Sequence, residues 1–277
     1  MTKFSKIATN IRHSGPLQNM EWLWNILRKP YHYFLNFNNT GVPVIINEKL
    51  TIRIPPEYYK VDLADYEKPS TDCIVNWIID NPDCYVLDIG SSIGYISAIA
   101  LFASNNAEVI AFDSDLSSLM ASRMMCQYAS SKKFSVVYGL ITNESDLSTN
   151  IDEAVKLTDK ALAESGVTGL PGTTAYITLD TTDDSIPKYT IDGLFKEVNI
   201  SSKVLIKCDI EGAELFALQG AKKFIDKYKP AMLLSVHPEA LPDLGCSVQQ
   251  VRDFLTEKNY TIEIISIDHE EHWWCNG

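Results

Sequence analysis

The ten residues from Val86 to Tyr95, VLDIGSSIGY, decide the fold of this chain. An apolar run ends at Asp88, and the chain then turns through Gly90 and Gly94 into a segment of helical composition. Glycines in such a turn let a ligand approach the backbone closely. In open α/β sheets, the turn that follows the first strand lies beside the point where nucleoside cofactors bind. The stretch therefore predicts a parallel sheet with a nucleoside-binding edge.

The rest of the chain alternates between strands and helices. We predict strands over residues 85–89, 109–112, 134–138, 204–208, 231–236, 260–267 and 272–275, and helices from 94, from 115, and over 151–164, 213–225 and 248–257. Because residues 268–271 are too few for a helical crossover, the last strand should run antiparallel to its predecessor. The expected fold is α/β, a doubly wound seven-stranded sheet with six parallel strands and one antiparallel strand.

Residues 1–60 have a different pattern and are expected to form a small accessory region. Aromatic and aliphatic residues recur at helical spacing over 21–37 until Pro30 interrupts them, and runs over 42–46 and 50–54 predict a β-hairpin. The main domain is assigned to 61–277, and Ser70 or Thr71 should cap a helix over 73–79. Residues 142–173 are acidic and polar, and they are interpreted either as an insertion that covers the substrate or as a surface loop.

Charge and composition narrow the classes of partner. A formal net charge of −12 without a dense Lys/Arg run disfavours nucleic acid and anionic membrane surfaces. No apolar run approaches the ~20 residues that span a bilayer. Six cysteines without paired spacing favour a reducing, cytoplasmic setting. A small or neutral acceptor is easier to reconcile with this charge.

The spacing of the glycines separates two classes of cofactor. Gly90 and Gly94 are four apart, and Ser92 stands where a dinucleotide fingerprint places its second glycine, so a pyrophosphate would lose its closest backbone approach. S-adenosylmethionine has no phosphate and tolerates the acidic Asp88. Asp113 follows the glycines by roughly twenty residues, where a carboxylate can accept both hydrogens of a ribose diol. An NAD-dependent oxidoreductase and a non-catalytic binding module remain the alternatives.

Polar residues also interrupt the second half of the sheet. Lys207 lies in the apolar strand of VLIKCDIEGAE and needs a partner, for which the sequence offers Asp192, Glu211 and Glu214. Asp209 and His237 each follow a strand and should meet at one sheet edge. His237 is the expected general base, because an unperturbed imidazole titrates near ~6.5, and Asp209 would orient it.

A metal-assisted version of this chemistry stays open. Carboxylate and imidazole groups suit a divalent cation, and several of them fall at the same edge of the sheet. The residues considered as ligands are Asp209, His237, His269 and His272.

The chain resembles the FkbM-type methyltransferases in VLDIGSSIGYIS, VIAFDSD, YTIDGLF and VLIKCDIEGAELFALQGA. The resemblance covers residues 66 to 277 and does not include the first sixty. It implies a class I, Rossmann-like methyltransferase fold, S-adenosylmethionine as donor, and O-methylation of a hydroxyl on a sugar, glycan or secondary metabolite. The expected donor-binding residues are Asp88, Gly90, Ser91, Ser92, Gly94, Tyr95, Asp113 and Ser114, and the expected catalytic residues are Asp209, Glu211 and His237.

This sequence departs from the family pattern at four positions. Ser92 replaces a frequent asparagine, Asp113 a glutamate, Ser114 a proline and Cys208 an aliphatic residue. The changes keep polarity and acidity at the expected donor site, so they bear on affinity for the donor rather than on its identity.

Overall fold

The structure is a computed structural model that describes residues 39–131, 133–144, 149–170 and 185–277, together with residues 30 and 33. Apart from those two residues, the segment over 21–37, predicted as a short helix before Pro30 and an irregular aromatic stretch after it, lies outside the described part. The strands are β1 (Val42–Asn47), β2 (Leu50–Ile54), β3 (Cys84–Ile89), β4 (Glu108–Asp113), β5 (Phe134–Tyr138), β6 (Leu140–Ile141), β7 (Lys188–Tyr189), β8 (Lys203–Cys208), β9 (Ala231–Val236), β10 (Thr261–Ile267) and β11 (Glu271–Asn276). The α-helices are α1 (Lys68–Asp80), α2 (Tyr95–Ala103), α3 (Leu116–Cys126), α4 (Ile151–Ser165), α5 (Ile191–Leu194), α6 (Glu214–Gln219), α7 (Lys222–Tyr228) and α8 (Val248–Glu257).

Seven strands form the central sheet in the order β10-β11-β9-β8-β3-β4-β5. The pairs from β9 through β5 are parallel, whereas β11 is antiparallel to both β9 and β10. Six strands therefore share one direction and β11 is reversed, which confirms the predicted α/β sheet. The carboxyl ends of β3, β4, β8 and β9 meet at one edge, which places Asp88, Asp113, Asp209 and His237 there.

Helices cover both faces of the sheet, because successive side chains of a buried strand point to opposite sides. Leu87 and Ile89 of β3 face a core that includes α5 to α8, whereas Val86 faces a core shared with α1 to α3. β1 and β2 pair antiparallel, which confirms the predicted hairpin. The hairpin packs into this second core. The domain boundary at residue 60 stays a prediction. No helix in the described ranges is long and apolar enough to cross a membrane.

Two helix predictions are wrong in detail. Helix α1 begins at Lys68 with Glu67 as its N-cap in a left-handed conformation, and neither Ser70 nor Thr71 caps it. The helix expected over 213–225 is divided into α6 and α7. The helical hydrogen bonds are interrupted at Gly220, because its carbonyl accepts a hydrogen bond from Asp192 N at 2.9 Å instead.

The segment over 142–173 belongs to the connection between the edge strand β5 and the central strand β8. Helix α4 lies beside the edge strand β5, where Tyr138 N donates to Thr158 Oγ at 2.8 Å, and Leu162 packs against Val136. A helix in this place shields an otherwise unpaired strand edge. Residues 145–148 and 171–173 lie outside the described part, and covering of the substrate stays a prediction.

Candidate active site

The glycine turn after β3 is shaped by close approach of neighbouring backbone. Gly90 has a φ of 73°, and a Cβ there would lie 1.7 Å from the carbonyl oxygen of Asp209. Gly94 has a φ of 75°, and its Cβ would lie 2.6 Å from Ser122 Cα. Between them, Ser92 adopts a left-handed conformation with a φ of 48°, which non-glycine residues seldom do. The turn is therefore fixed by its protein neighbours, which leave no room for a side chain at either glycine.

Asp88 lies beneath this turn and has no exposed surface. Its Oδ2 accepts hydrogen bonds from Ser97 N at 3.0 Å and from Ser97 Oγ at 2.6 Å, which anchors the first turn of α2. Burial raises the pKa of Asp88, and the charge of Lys207 opposes that effect. Tyr95 is also buried, and its hydroxyl donates to the carbonyl of Leu63 at 2.6 Å. Both side chains hold the turn from below.

Lys207 has partners that the sequence did not suggest. Its Nζ donates to the carbonyl of Gly90 at 2.7 Å and lies 3.3 Å from Asp209 Oδ2 and 3.8 Å from Asp88 Oδ1. Burial alone would lower the pKa of Lys207, but Asp209 and Asp88 outweigh burial and raise it. The buried ammonium thus ties β8 to the glycine turn.

The predicted partners of Lys207 are wrong, because each lies elsewhere. Asp192 accepts hydrogen bonds from Lys223 N and Phe224 N at the start of α7. Glu214 accepts from Gly212 N at 2.9 Å and faces His237. The Glu211 side chain is 65% exposed.

Asp113 ends β4 and faces the glycine turn. Its Oδ2 accepts from Ser92 N at 2.8 Å and its Oδ1 from Asp115 N at 2.9 Å. Burial raises its pKa to about 6, although the two amide hydrogen bonds act in the opposite direction. Asp115 caps α3 by accepting from Ser117 N and Ser118 N. Ser114 between them is half-buried.

His237 is enclosed by carboxylates. Nδ1 lies 2.9 Å from Glu214 Oε1, and Nε2 lies 2.6 Å from Glu270 Oε2. Asp209 Oδ1 and Glu211 Oε2 are 3.7 and 3.6 Å from the same Nε2. Burial alone would lower the pKa of His237, but Glu214 and Glu270 raise it to about 10. The ordinary imidazole pKa expected from sequence is therefore wrong, because carboxylates face both ring nitrogens.

The four residues considered as metal ligands are divided among different groups. Asp209 and His237 lie together with Glu211, His272 lies with Glu67 and Glu270, and the 80% exposed His269 lies beside Asp268. Sequence reasoning missed Glu67 and Glu270. Glu270 stands in the DHEEH turn between two of the histidines considered, whereas Glu67 precedes a helix far from any motif and gives no such signal.

A cofactor at this turn would meet the Asp113 carboxylate and the backbone groups of the turn. The amine of Lys207 is directed at the Gly90 carbonyl. A carboxylate at the end of the second parallel strand can accept hydrogen bonds from a ribose. S-adenosylmethionine carries a ribose and fits this arrangement.

Comparison with known proteins agrees with this geometry. The model of the methyltransferase FkbM domain matches residues 88–262. Solved structures with a similar fold include the methyltransferase FkbM from Methylobacillus flagellatus KT (19% identity, TM-score 0.43, covering 70% of this chain and 43% of that one) and the precorrin-6y C5,15-methyltransferase from Geobacter metallireducens GS-15 (11%, 0.44, 79% and 91%). A methyltransferase from Geobacter sulfurreducens gives 10% identity, a TM-score of 0.39, and coverage of 98% and 96%.

The alignment spans less than half of the Methylobacillus flagellatus chain, at 43%. No curated protein sequence matches this chain. The family model nevertheless extends from the end of β3 to the start of β10, and it includes the glycine turn, Asp113 and the β8 and β9 ends. Because this match covers well over half of the 277 residues, the chain belongs to the FkbM methyltransferase family.

Proposed function

We propose that this methyltransferase transfers a methyl group from S-adenosylmethionine to a hydroxyl group on a sugar, glycan or secondary metabolite. One observation carries the proposal. The glycine turn and Asp113 lie at the same sheet edge as Asp209 and His237, so a donor site adjoins a group that can handle a proton. An acidic chain with a formal charge of −12 suits an acceptor other than nucleic acid.

The donor is proposed to lie across the turn between β3 and α2. Asp113 would accept hydrogen bonds from the ribose hydroxyls. Each of its carboxylate oxygens accepts one hydrogen bond from a backbone amide and has a further lone pair for this purpose. Gly90, Ser91, Ser92 and Gly94 would line the donor through their backbone, with Ser114 at the margin. Asp88 and Tyr95 would act from beneath by holding the turn. The bound donor supplies an electrophilic methyl group.

Asp209 is proposed to accept the proton of the acceptor hydroxyl. As the hydroxyl oxygen bonds to the methyl carbon, the bond between that carbon and the sulfonium sulfur breaks, and S-adenosylhomocysteine leaves. The Asp209 side chain is 22% exposed, and Lys207 and His237 hold it on either side. Glu211 lies closer to solvent and would contact the acceptor. His237 faces carboxylates with both ring nitrogens, so it has no lone pair to offer as a base in this arrangement. It is therefore assigned as a positioning residue for Asp209 and Glu211.

The first test is binding of S-adenosylhomocysteine to the purified chain by calorimetry, with NAD titrated in parallel. Saturable heat with the nucleoside and none with NAD is the expected result. The absence of any affinity for S-adenosylmethionine or its demethylated product would overturn the donor assignment. Heat with NAD alone would favour an oxidoreductase.

The second test follows methyl transfer from labelled S-adenosylmethionine to a panel of sugars, glycans and hydroxylated metabolites. Once an acceptor is found, Asp209→Asn should keep affinity for the donor while turnover falls by roughly a hundredfold or more, as loss of a general base implies. His237→Gln should reduce turnover less. Lys203→Met is the control, because Lys203 is exposed at the start of β8, at the opposite end of that strand from Asp209. Donor binding without transfer to any acceptor would favour a non-catalytic binding module.

A further inference from the structure

Glu67, Glu270 and His272 form a buried group behind His237 that the proposed methyl transfer does not use. Glu67 precedes α1, Glu270 closes the turn between β10 and β11, and His272 is the second residue of β11. His272 has no exposed surface, Glu270 is 3% exposed, and the Glu67 side chain is 12% exposed. Ionisable side chains at this depth normally have charged or hydrogen-bonded partners.

Donor atoms of the three side chains lie close together, with one donor atom from each within 4.8 Å of the others. Nε2 of His272 is 3.4 Å from Glu270 Oε1 and 3.6 Å from Asp268 Oδ2, and Glu67 Oε2 is 3.9 Å from Nδ1 of His272. Two donors bound to one ion at about 2.1 Å lie about 3.0–3.5 Å apart. The distances from Nε2 to Glu270 and to Asp268 are close to this spacing, whereas Glu67 lies nearest Nδ1 and has to turn toward Nε2 to bind the same ion.

His272 supplies an independent observation, because its Nε2 is buried and has no hydrogen-bond partner within the described ranges. Nδ1 lies 3.3 Å from Ser235 Oγ. If Nδ1 carries the hydrogen and donates to Ser235, the lone pair of Nε2 faces two carboxylates. Such an arrangement is repulsive unless a proton or a cation lies between them. A histidine that binds a metal through one ring nitrogen usually donates a hydrogen bond to another protein group from its second ring nitrogen.

Nearby cationic side chains do not meet this requirement. Lys207 is engaged by Asp88 and Asp209, and His237 by Glu214 and by the other oxygen of Glu270. Burial raises the pKa of Glu67, although Tyr66, Lys207 and His272 act against it. The group therefore requires either a proton or a bound cation.

We propose that Glu67, Glu270 and Nε2 of His272, with Asp268 beside them, bind one divalent cation. Mixed imidazole and carboxylate ligands favour Mn²⁺ or Zn²⁺ over an ion such as Ca²⁺ that prefers oxygen alone. The ion joins the start of α1 to the β10–β11 turn and holds Glu270 against His237. The inference does not depend on the identity of the methyl acceptor or on donor binding.

The test is titration of the chelator-stripped full chain with MnCl₂ at pH 7.5, in which free Mn²⁺ is followed by electron paramagnetic resonance. Zn²⁺ is then added as a competitor. We expect one bound Mn²⁺ per chain, displacement by Zn²⁺, and a higher Tm with the ion. If neither ion binds, a proton within the group balances its charge instead, and the inference is overturned.

Two variants and a control locate the ion. Glu67→Gln and His272→Gln should each weaken Mn²⁺ binding at least about tenfold, in line with the effect of losing a metal-site contact. Glu67→Gln is the decisive variant, because its partly exposed side chain tolerates substitution better than His272. Glu263→Gln, at an exposed position of β10, should bind Mn²⁺ as the wild type does. Unchanged binding by Glu67→Gln, or loss only in Glu263→Gln, overturns the assignment. Unaltered affinity for S-adenosylhomocysteine keeps this result separate from the donor proposal.

Discussion

Lys207→Met tests most directly how much the buried ion pair between Lys207 and Asp88 stabilises the fold. The Lys207 and Asp88 side chains are 8% and 0% exposed, and their charged atoms are 3.8 Å apart. Methionine has a similar length but no charge, so Asp88 would keep its buried carboxylate without a counterion. Removing one partner of a buried ion pair costs about 3–5 kcal/mol. We expect Lys207→Met to lower the free energy of unfolding by about that amount.

A double-mutant cycle tests this reasoning. In the Lys207→Met background, Asp88→Asn removes the unpaired buried charge and retains an amide oxygen that can accept from Ser97. The double variant should therefore regain about 2 kcal/mol of the free energy of unfolding. Stability is measured by urea unfolding at pH 7. Lys203→Met is the matched control, because Lys203 is exposed at the start of the same strand and should change stability by less than about 0.5 kcal/mol. A loss below about 1 kcal/mol in Lys207→Met, or no recovery in the double variant, would refute the account.

Three further outcomes follow from the site geometry. Gly90→Ala places a Cβ 1.7 Å from the Asp209 carbonyl oxygen, so calorimetry should find at least about tenfold weaker binding of S-adenosylhomocysteine, and wild-type affinity would contradict this. The pKa of Asp113 is raised to about 6, so affinity for that nucleoside should fall as pH drops from 7 to 5 and the carboxylate becomes protonated. Asp113→Asn should flatten this pH dependence, and an equally steep fall in the variant would remove Asp113 from the site. Asp115→Ala removes the α3 cap and should lower the free energy of unfolding by about 1 kcal/mol, with donor affinity unchanged; no loss of stability in urea unfolding would mean that the cap is replaced.

The sheet was predictable because its physical signal is local. Buried parallel strands are continuous apolar runs, and β5 and β9 begin and end where the sequence predicts. The short connection before β11 required the reversed direction that the structure has. The same local reasoning failed at Gly220, where the interruption of the helix depends on a hydrogen bond from Asp192 in a distant segment.

The partners of the charged residues were not predictable in the same way. Asp88 lies opposite Lys207 because β3 pairs with β8 in one particular register, and that register joins residues more than a hundred positions apart. Sequence reasoning looked for partners of Lys207 near it in the chain and therefore chose Glu211 and Glu214. The identity of a salt-bridge partner depends on strand order, which no single strand encodes.

The sequence by itself determined the strand and helix pattern, the glycine turn, the acid at the end of β4 and the resemblance to one family, because each depends on neighbouring residues along the chain. Only the tertiary structure decided the charge environment of that edge. It surrounds His237 with Glu214 and Glu270 and brings Glu67 to His272. Charge and pKa depend on distances through space, and these are set when the strands are assembled side by side.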